Sequence, residues 1–242
     1  MSAERTRRRL HVPPERIEGD LARPDAPSLH YLADVLRLEP GAPVEVFDGD
    51  GNRWDAVFTG SALRLGARQP APRPGATVWL AFALARGEKG DWIVQKGTEL
   101  GVSRLVPWQA ERSVVRLEPD RAAERARRWR RIAEEAARQS GRADVPEVGL
   151  PGTLEAALEA PAGFVRVAFH AGAGSPLGSL VTPGAPGYLA VVGPEGGLTD
   201  REVEACVAAG CGLASLGPRV LRAETAAVAA AALLQHLAGD LG

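Results

Sequence analysis

Three short stretches in the last third of the chain place glycines, arginines and carboxylates at spacings that could do chemistry. They are His170-Ala171-Gly172-Ala173-Gly174, then Gly193-Pro194-Glu195-Gly196-Gly197-Leu198, then Leu216-Gly217-Pro218-Arg219-Val220-Leu221-Arg222-Ala223-Glu224-Thr225. Three glycines between 193 and 197 suggest backbone that takes unusual dihedrals or passes close to another group. Glu195 stands among residues with almost no side chain to hide it. Arg222 and Glu224 flank the start of a predicted helix. The helix dipole welcomes an acid there and gains nothing from a cation, so Arg222 has the stronger functional reading. An arginine can stabilise developing negative charge, and a carboxylate can remove a proton. Spaced two apart at a loop-to-helix junction, Arg222 and Glu224 can both point into a pocket, and they can also pair with each other.

Several chemistries are excluded or disfavoured. No GxxxxGK[ST] phosphate loop, Gly-x-Ser-x-Gly elbow or HExxH occurs. Gly172-x-Gly174 resembles the start of a dinucleotide fingerprint, but Ser175-Pro176 and Pro183 interrupt the helix that should follow. The four histidines (11, 30, 170, 236) are scattered, and only His170 lies near these loops. Cys206 and Cys211 have no second pair, which argues against zinc and against a disulfide framework. The loops hold no lysine cluster for a triphosphate. A ligand held by backbone amides and carbonyls, adenosine-like in character, suits them best.

The elements that must position these loops alternate. Thr77–Ala85 is a near-continuous apolar run, as in a strand buried on both faces. Lys89–Leu100 reads as a helix stopped by Gly101, and Arg104–Trp108 as a strand. Pro119–Gln139 is a long helix with an apolar stripe at 122, 126, 129, 133 and 136. A short helix over Thr153–Glu159 follows, with further strands at Phe164–Phe169, Tyr188–Val192 and Leu213–Leu216. Thr199-Asp200-Arg201-Glu202 is a capping box opening a helix to Ala209, and a last helix runs from near Glu224 to Gly239. The pattern implies an α/β domain with a mostly parallel sheet, in which ligands bind at the carboxyl ends of the strands. The first 70 residues differ. They carry a short helix over Ser28–Leu38 and two alternating runs, Val44–Phe47 and Arg53–Phe58, around Asp48-Gly49-Asp50-Gly51-Asn52, as in a hairpin. The proline-rich stretch Gln69–Gly75 reads as a stiff linker.

Net charge is −1, but residues 104–142 hold 11 Arg against 6 Asp or Glu, and residues 143–242 hold 4 Arg against 10 acids. The arginine-rich helix and the basic start of the chain can meet phosphates, or simply face solvent. The longest apolar run, Ala226–Leu234, is far short of a membrane span, and no secretory leader is evident. A cytoplasmic protein is expected.

"GPEGGLTDREV" (193–203) followed by "LGPRVLRAETA" (216–226) resembles the SPOUT superfamily of S-adenosylmethionine-dependent RNA methyltransferases. Within it the chain is similar to the RsmE type, which methylates N3 of one uridine in 16S rRNA. The stretches 30–51, 86–116 and 129–148 match that family in order. The resemblance implies a PUA-like RNA-binding domain at 1–72 and a methyltransferase domain at 73–242, with a deep trefoil knot over about 164–242. It implies S-adenosylmethionine as cofactor, 16S rRNA within the small ribosomal subunit as partner, a homodimer, and no metal. The expected cofactor contacts are His170, Gly193, Pro194, Glu195, Gly196, Leu216, Gly217, Val220, Leu221 and Thr225. Arg222 and Glu224 are the expected catalytic pair. Arg8, Arg9, Arg128, Arg131 and Arg219 are the expected RNA contacts. A ribosome-binding module without catalysis is the alternative.

Overall fold

A computed structural model describes residues 8–70, 76–113, 115–116, 118–173, 175–182 and 184–241. Most of the proline-rich linker, the first seven residues and Gly174 lie outside the described residues. The chain divides into two units, one of residues 1–73 with 137–145, the other of 74–136 with 146–242. The return of 137–145 to the first unit is a departure from the division at residue 72 expected from the linker.

The N-terminal unit is built on a six-stranded sheet. Its strands are β1 (Arg9–His11), β2 (Ile17–Glu18), β3 (Leu21–Ala22), β4 (Pro43–Phe47), β5 (Asn52–Phe58) and β6 (Leu63–Pro70), in spatial order β1-β4-β5-β6-β3-β2. The expected hairpin is β4–β5, paired antiparallel from Pro43↔Val57 to Phe47↔Arg53. Asp48 shapes its loop by accepting from the backbone N–H groups of Asp50 at 2.8 Å and Asn52 at 3.0 Å. The expected helix at 28–38 is α1 (Ala26–His30) followed by a π-helical turn over Tyr31–Val35. Its cap is Asp25, whose carboxylate accepts from Ser28 N at 2.9 Å. Leu10, Val12, Leu32, Val46, Phe58 and Leu63 form the core.

The C-terminal unit contains β7 (Thr77–Ala83), β8 (Arg104–Trp108), β9 (Glu147–Val148), β10 (Val165–Phe169), β11 (Gly187–Val192) and β12 (Gly212–Ala214). They form one wholly parallel sheet in the order β12-β10-β11-β7-β8-β9. All six residues of β11 are buried, which explains why Tyr188–Val192 reads as a continuous apolar run. The helices are α2 (Lys89–Glu99), α3 (Pro119–Ser140), α4 (Leu154–Ala157), α5 (Leu177–Leu180), α6 (Asp200–Ala208) and α7 (Ala223–Leu237). Along α3 the expected stripe is the covered one: Ala126, Trp129, Ala133 and Ala136 are buried. Trp129 Nε1 donates to Asp91 Oδ1 of α2 at 2.9 Å, tying the two helices.

The capping box forms as expected. Glu202 N donates to Thr199 Oγ1 at 3.2 Å, and Glu202 Oε2 accepts from Thr199 N at 2.8 Å. The short α5 spans only four residues after Pro176, too little for a dinucleotide-binding helix.

Candidate cofactor and catalytic site

The strands β10, β11 and β12 are immediate neighbours and run in one direction. Their carboxyl ends must therefore lie side by side, and the three loops that leave them must meet. They enclose a cavity of about 320 Å3. Phe169, Val192, Leu198 and Ala226 give it apolar walls, and most of its remaining lining is loop residues of small or apolar side chain.

Gly193 and Gly197 are each required by the local geometry. A Cβ on Gly193 would lie 2.9 Å from Leu198 Cδ2 and 3.2 Å from Leu198 N, because the loop folds back over it. Gly197 has φ +70°, a left-handed conformation costly for other residues, and its N–H closes a turn on Pro194 O at 2.9 Å. Gly196 O accepts from Arg112 Nη1 at 2.9 Å, so that loop is braced from the segment after β8. In the third loop Gly217 takes φ +102°, and Ser215 Oγ both accepts from its N–H at 3.2 Å and donates to its O at 3.1 Å. Among the described residues, the peptide groups of Leu216, Val220 and Leu221 have no backbone partner. Donors and acceptors of the main chain are thus left beside an apolar cavity, the combination that recognises a purine edge while burying its faces.

Of the residues expected to contact a cofactor, the cavity brings together His170, Gly193, Pro194, Glu195, Gly196, Leu216, Gly217, Val220 and Leu221. Thr225 is exposed on α7 and lies outside the lining. His170 is half-buried at the end of β10, its N–H donating to Ala214 O at 2.9 Å and its O accepting from Ala173 N at 3.1 Å.

Glu195, Glu224 and Lys89 converge. Lys89 Nζ donates to Glu195 Oε1 at 2.5 Å and stands 3.6 Å from Glu224 Oε2. The hydrogen bond from Lys89 holds the Glu195 carboxyl below its ordinary range, and the same bond raises the Lys89 ammonium. Glu224 is largely covered, with its side chain 17% exposed, and Oε2 is buried without a hydrogen bond among the described residues. Arg222 is the exposed N-cap of α7 and makes no ion pair among the described residues. Of the two options their spacing allows, Arg222 and Glu224 form no ion pair with each other among the described residues; the cation facing Glu224 is Lys89.

Among the arginines expected to touch RNA, Arg8 and Arg131 are exposed, and Arg219 is both exposed and part of the cavity lining. Arg128 is exposed but pairs with Asp91. Arg9 departs from its expected role. Its guanidinium is 11% exposed, donates to Glu45 Oε1 at 2.6 Å, and donates to the carbonyls of Ala137, Arg138 and Arg142 at 3.1, 3.0 and 2.8 Å. It ties the carboxyl end of α3, and the segment just after it, to β1 within the N-terminal unit.

Sequence reasoning missed Lys89 and Arg112. Lys89 did carry a signal: a cation at the first position of α2 opposes the helix dipole, as Arg222 does at α7. Among the described residues no cluster of His, Cys, Asp or Glu could hold a metal ion, and no helix is long and apolar enough to cross a membrane.

The family model of the RNA methyltransferase domain matches residues 72–235, and that of the RNA methyltransferase PUA domain matches residues 24–62. The ribosomal RNA small subunit methyltransferase E of Bacillus subtilis is 40% identical over 222 residues, covering 86% of this chain and 87% of that protein. Its counterpart from Synechocystis is 36% identical over 238 residues, covering 95% and 77%. The crystal structure of a ribosomal RNA small subunit methyltransferase E from Neisseria gonorrhoeae bound to S-adenosyl methionine superimposes with a TM-score of 0.85 at 30% identity, covering 96% of this chain and 98% of that one. A putative methyltransferase from Legionella pneumophila in complex with the same cofactor gives 0.87 at 28% identity, covering 95% and 97%. By these matches the chain belongs to the RNA methyltransferase family, alongside the ribosomal RNA small subunit methyltransferases E.

Proposed function

We propose that the protein transfers a methyl group from S-adenosylmethionine to N3 of a specific uridine in 16S rRNA. The observation that carries this reading is the cavity at the ends of β10, β11 and β12, where unpaired peptide groups face apolar walls. The residues present fit the cofactor: Leu216, Val220 and Leu221 offer main-chain groups for the adenine edge, Phe169, Val192 and Leu198 cover its faces, and Gly193 to Gly197 leave room for close approach. When bound, S-adenosylmethionine supplies an electrophilic methyl group.

The uridine N3 proton is weakly acidic, and the lone pair becomes available only when that proton leaves. Glu224 Oε2, buried and within ion-pair distance of Lys89, is the acceptor for it. Arg222, exposed at the mouth of the loop, offers its guanidinium to the carbonyl oxygens on either side of N3, where negative charge develops. N3 lies on the pairing edge, so the base enters unpaired. Arg8, Arg131 and Arg219, with the PUA-like unit, contact the rRNA backbone, and Arg128 does so if Asp91 releases it.

The same reading includes a deep knot within about 164–242, a homodimer and a cytoplasmic site of action. The dimer is supported by Leu233 and Leu237 of α7 and Trp92 of α2, exposed at 42, 41 and 40% on two helices that pack together. Sedimentation at micromolar concentration should give twice the chain mass; a single 25.4 kDa species would refute the dimer. For the cofactor site, calorimetry should give a binding isotherm with S-adenosylhomocysteine and none with NADH. Silence with S-adenosylhomocysteine would overturn the reading.

A further inference from the structure

Lys89 is absent from any reading based on the three glycine-bearing loops, yet it is the group that joins two of them. It is separated from Glu195 by 106 residues, and it reaches both Glu195 and Glu224 from the first position of α2. A cation at that position costs the helix some stability through the dipole, so helix formation does not account for it.

We infer that Lys89 is a positioning residue for methyl transfer: fastened by Glu195, its ammonium holds the Glu224 carboxylate in place to accept the N3 proton. The inference rests on the reading of Glu224 as proton acceptor given above. Three observations carry it. At 3.6 Å the ammonium pairs with Glu224 Oε2 more loosely than with Glu195, so it attracts the carboxylate without taking its shortest bond there. Glu195 takes the direct bond at 2.5 Å and thereby draws Nζ away from Glu224. Glu224 Oε2 has no hydrogen bond among the described residues although it is buried, and a buried carboxylate oxygen is costly unless a donor arrives. The raised proton affinity of Lys89 keeps it cationic through the neutral range.

In the step concerned, the N3–H bond breaks, its proton passes to Oε2, and the electron pair stays on N3. Glu224 goes from carboxylate to neutral acid. Lys89 keeps its own proton throughout and touches neither base nor cofactor.

The test is single-turnover methyl incorporation into small ribosomal subunits lacking the modification, at saturating S-adenosylmethionine. Wild type, K89M, K89R, E224Q and the K89M/E224Q double variant are compared. K89M should slow turnover by roughly 10- to 100-fold, at or below the lower end of what a general base itself contributes, as suits a residue that acts through one. K89R should recover most of that loss and keep the bond to Glu195; because Glu195 lines the cavity, S-adenosylhomocysteine affinity is measured for both variants and turnover is compared at saturating cofactor. In the E224Q background K89M should add less than about threefold, because residues acting through one group are not additive. Equal losses from K89M in both backgrounds would overturn the inference, as would a rise in the RNA KM with turnover unchanged, which would make Lys89 an RNA contact. If K89M lacks a cooperative thermal transition, K89Q against K89R makes the same comparison. A wild type that incorporates no methyl would sink the functional reading itself; an active wild type with K89M unaffected sinks this inference alone.

Discussion

The carboxylate of Glu202 accepts from the backbone N–H of Glu111 at 2.8 Å while also capping its own helix at Thr199. One buried side chain thus joins the start of α6 to the segment after β8, and the next residue in that segment, Arg112, braces Gly196. E202A keeps the Thr199 cap but removes the reciprocal half of the capping box and the bond to Glu111 N–H. The expected cost is about 1–3 kcal/mol, from two lost hydrogen bonds to a carboxylate, one of them at an exposed residue. Thermal unfolding measures it, and S-adenosylhomocysteine affinity should fall with it, because the cavity loop loses its brace.

Lys89 and Glu195 predict a pH window. The Glu195 carboxyl lies below its ordinary value of 4.5, so its contribution is present above that value and fades as pH falls through the lowered one. The Lys89 ammonium lies above its ordinary 10.5, so its contribution is complete below 10.5 and fades as pH rises through the raised value. K89M should therefore be less stable than wild type by a roughly constant amount between these limits, about 0.2–1 kcal/mol for so exposed a pair. The two should converge in acid. Denaturant titrations across pH check this, and a gap that widens in acid would be wrong in sign.

Arg9 and Arg131 should separate structure from RNA contact. R9A removes the donations to Ala137 O and Arg138 O in the last turn of α3, to Arg142 O just beyond it and to Glu45, and should cost about 2–4 kcal/mol. R131A, at an exposed position, should leave stability within about 0.5 kcal/mol and lower the salt dependence of rRNA binding by about one unit of slope. Filter binding over a salt series, with melts in parallel, distinguishes them.

Arg222 should act on turnover. R222A should slow methyl transfer by roughly 10²–10³, the loss seen when one charge-stabilising donor is removed. Cofactor affinity should change little, since Arg222 lies outside the cavity lining. Abolished S-adenosylmethionine binding with normal turnover of the bound fraction would instead make it a cofactor contact.

What could be read in the sequence followed from chain-local physics. The capping box, the stripe of α3 and the buried run of β11 depend on neighbours a few residues away. That the three glycine-bearing loops share one end of the sheet followed from the parallel pattern; that they meet depended on β12, β10 and β11 being neighbours, which only the fold shows. Strands of two or three residues, such as β2, β3 and β9, are too short to show a period. The contacts of Lys89 with Glu195 and of Arg112 with Gly196 span 106 and 84 residues, and depend on how helices and loops pack on the finished sheet. Arg9 looked like part of a basic surface because charge is visible in a sequence and burial is not. Its burial required knowing that residues 137–145 return to the first unit.

The most direct measurement is nucleoside mass spectrometry of 16S rRNA, from small subunits of a strain lacking this modification, after incubation with the purified protein and S-adenosylmethionine. The account predicts one new 3-methyluridine, at a single position, dependent on the protein and lost or strongly reduced with E224Q. Methylation of another base or of the ribose, or the absence of any new methylated nucleoside while the cofactor binds, would contradict it.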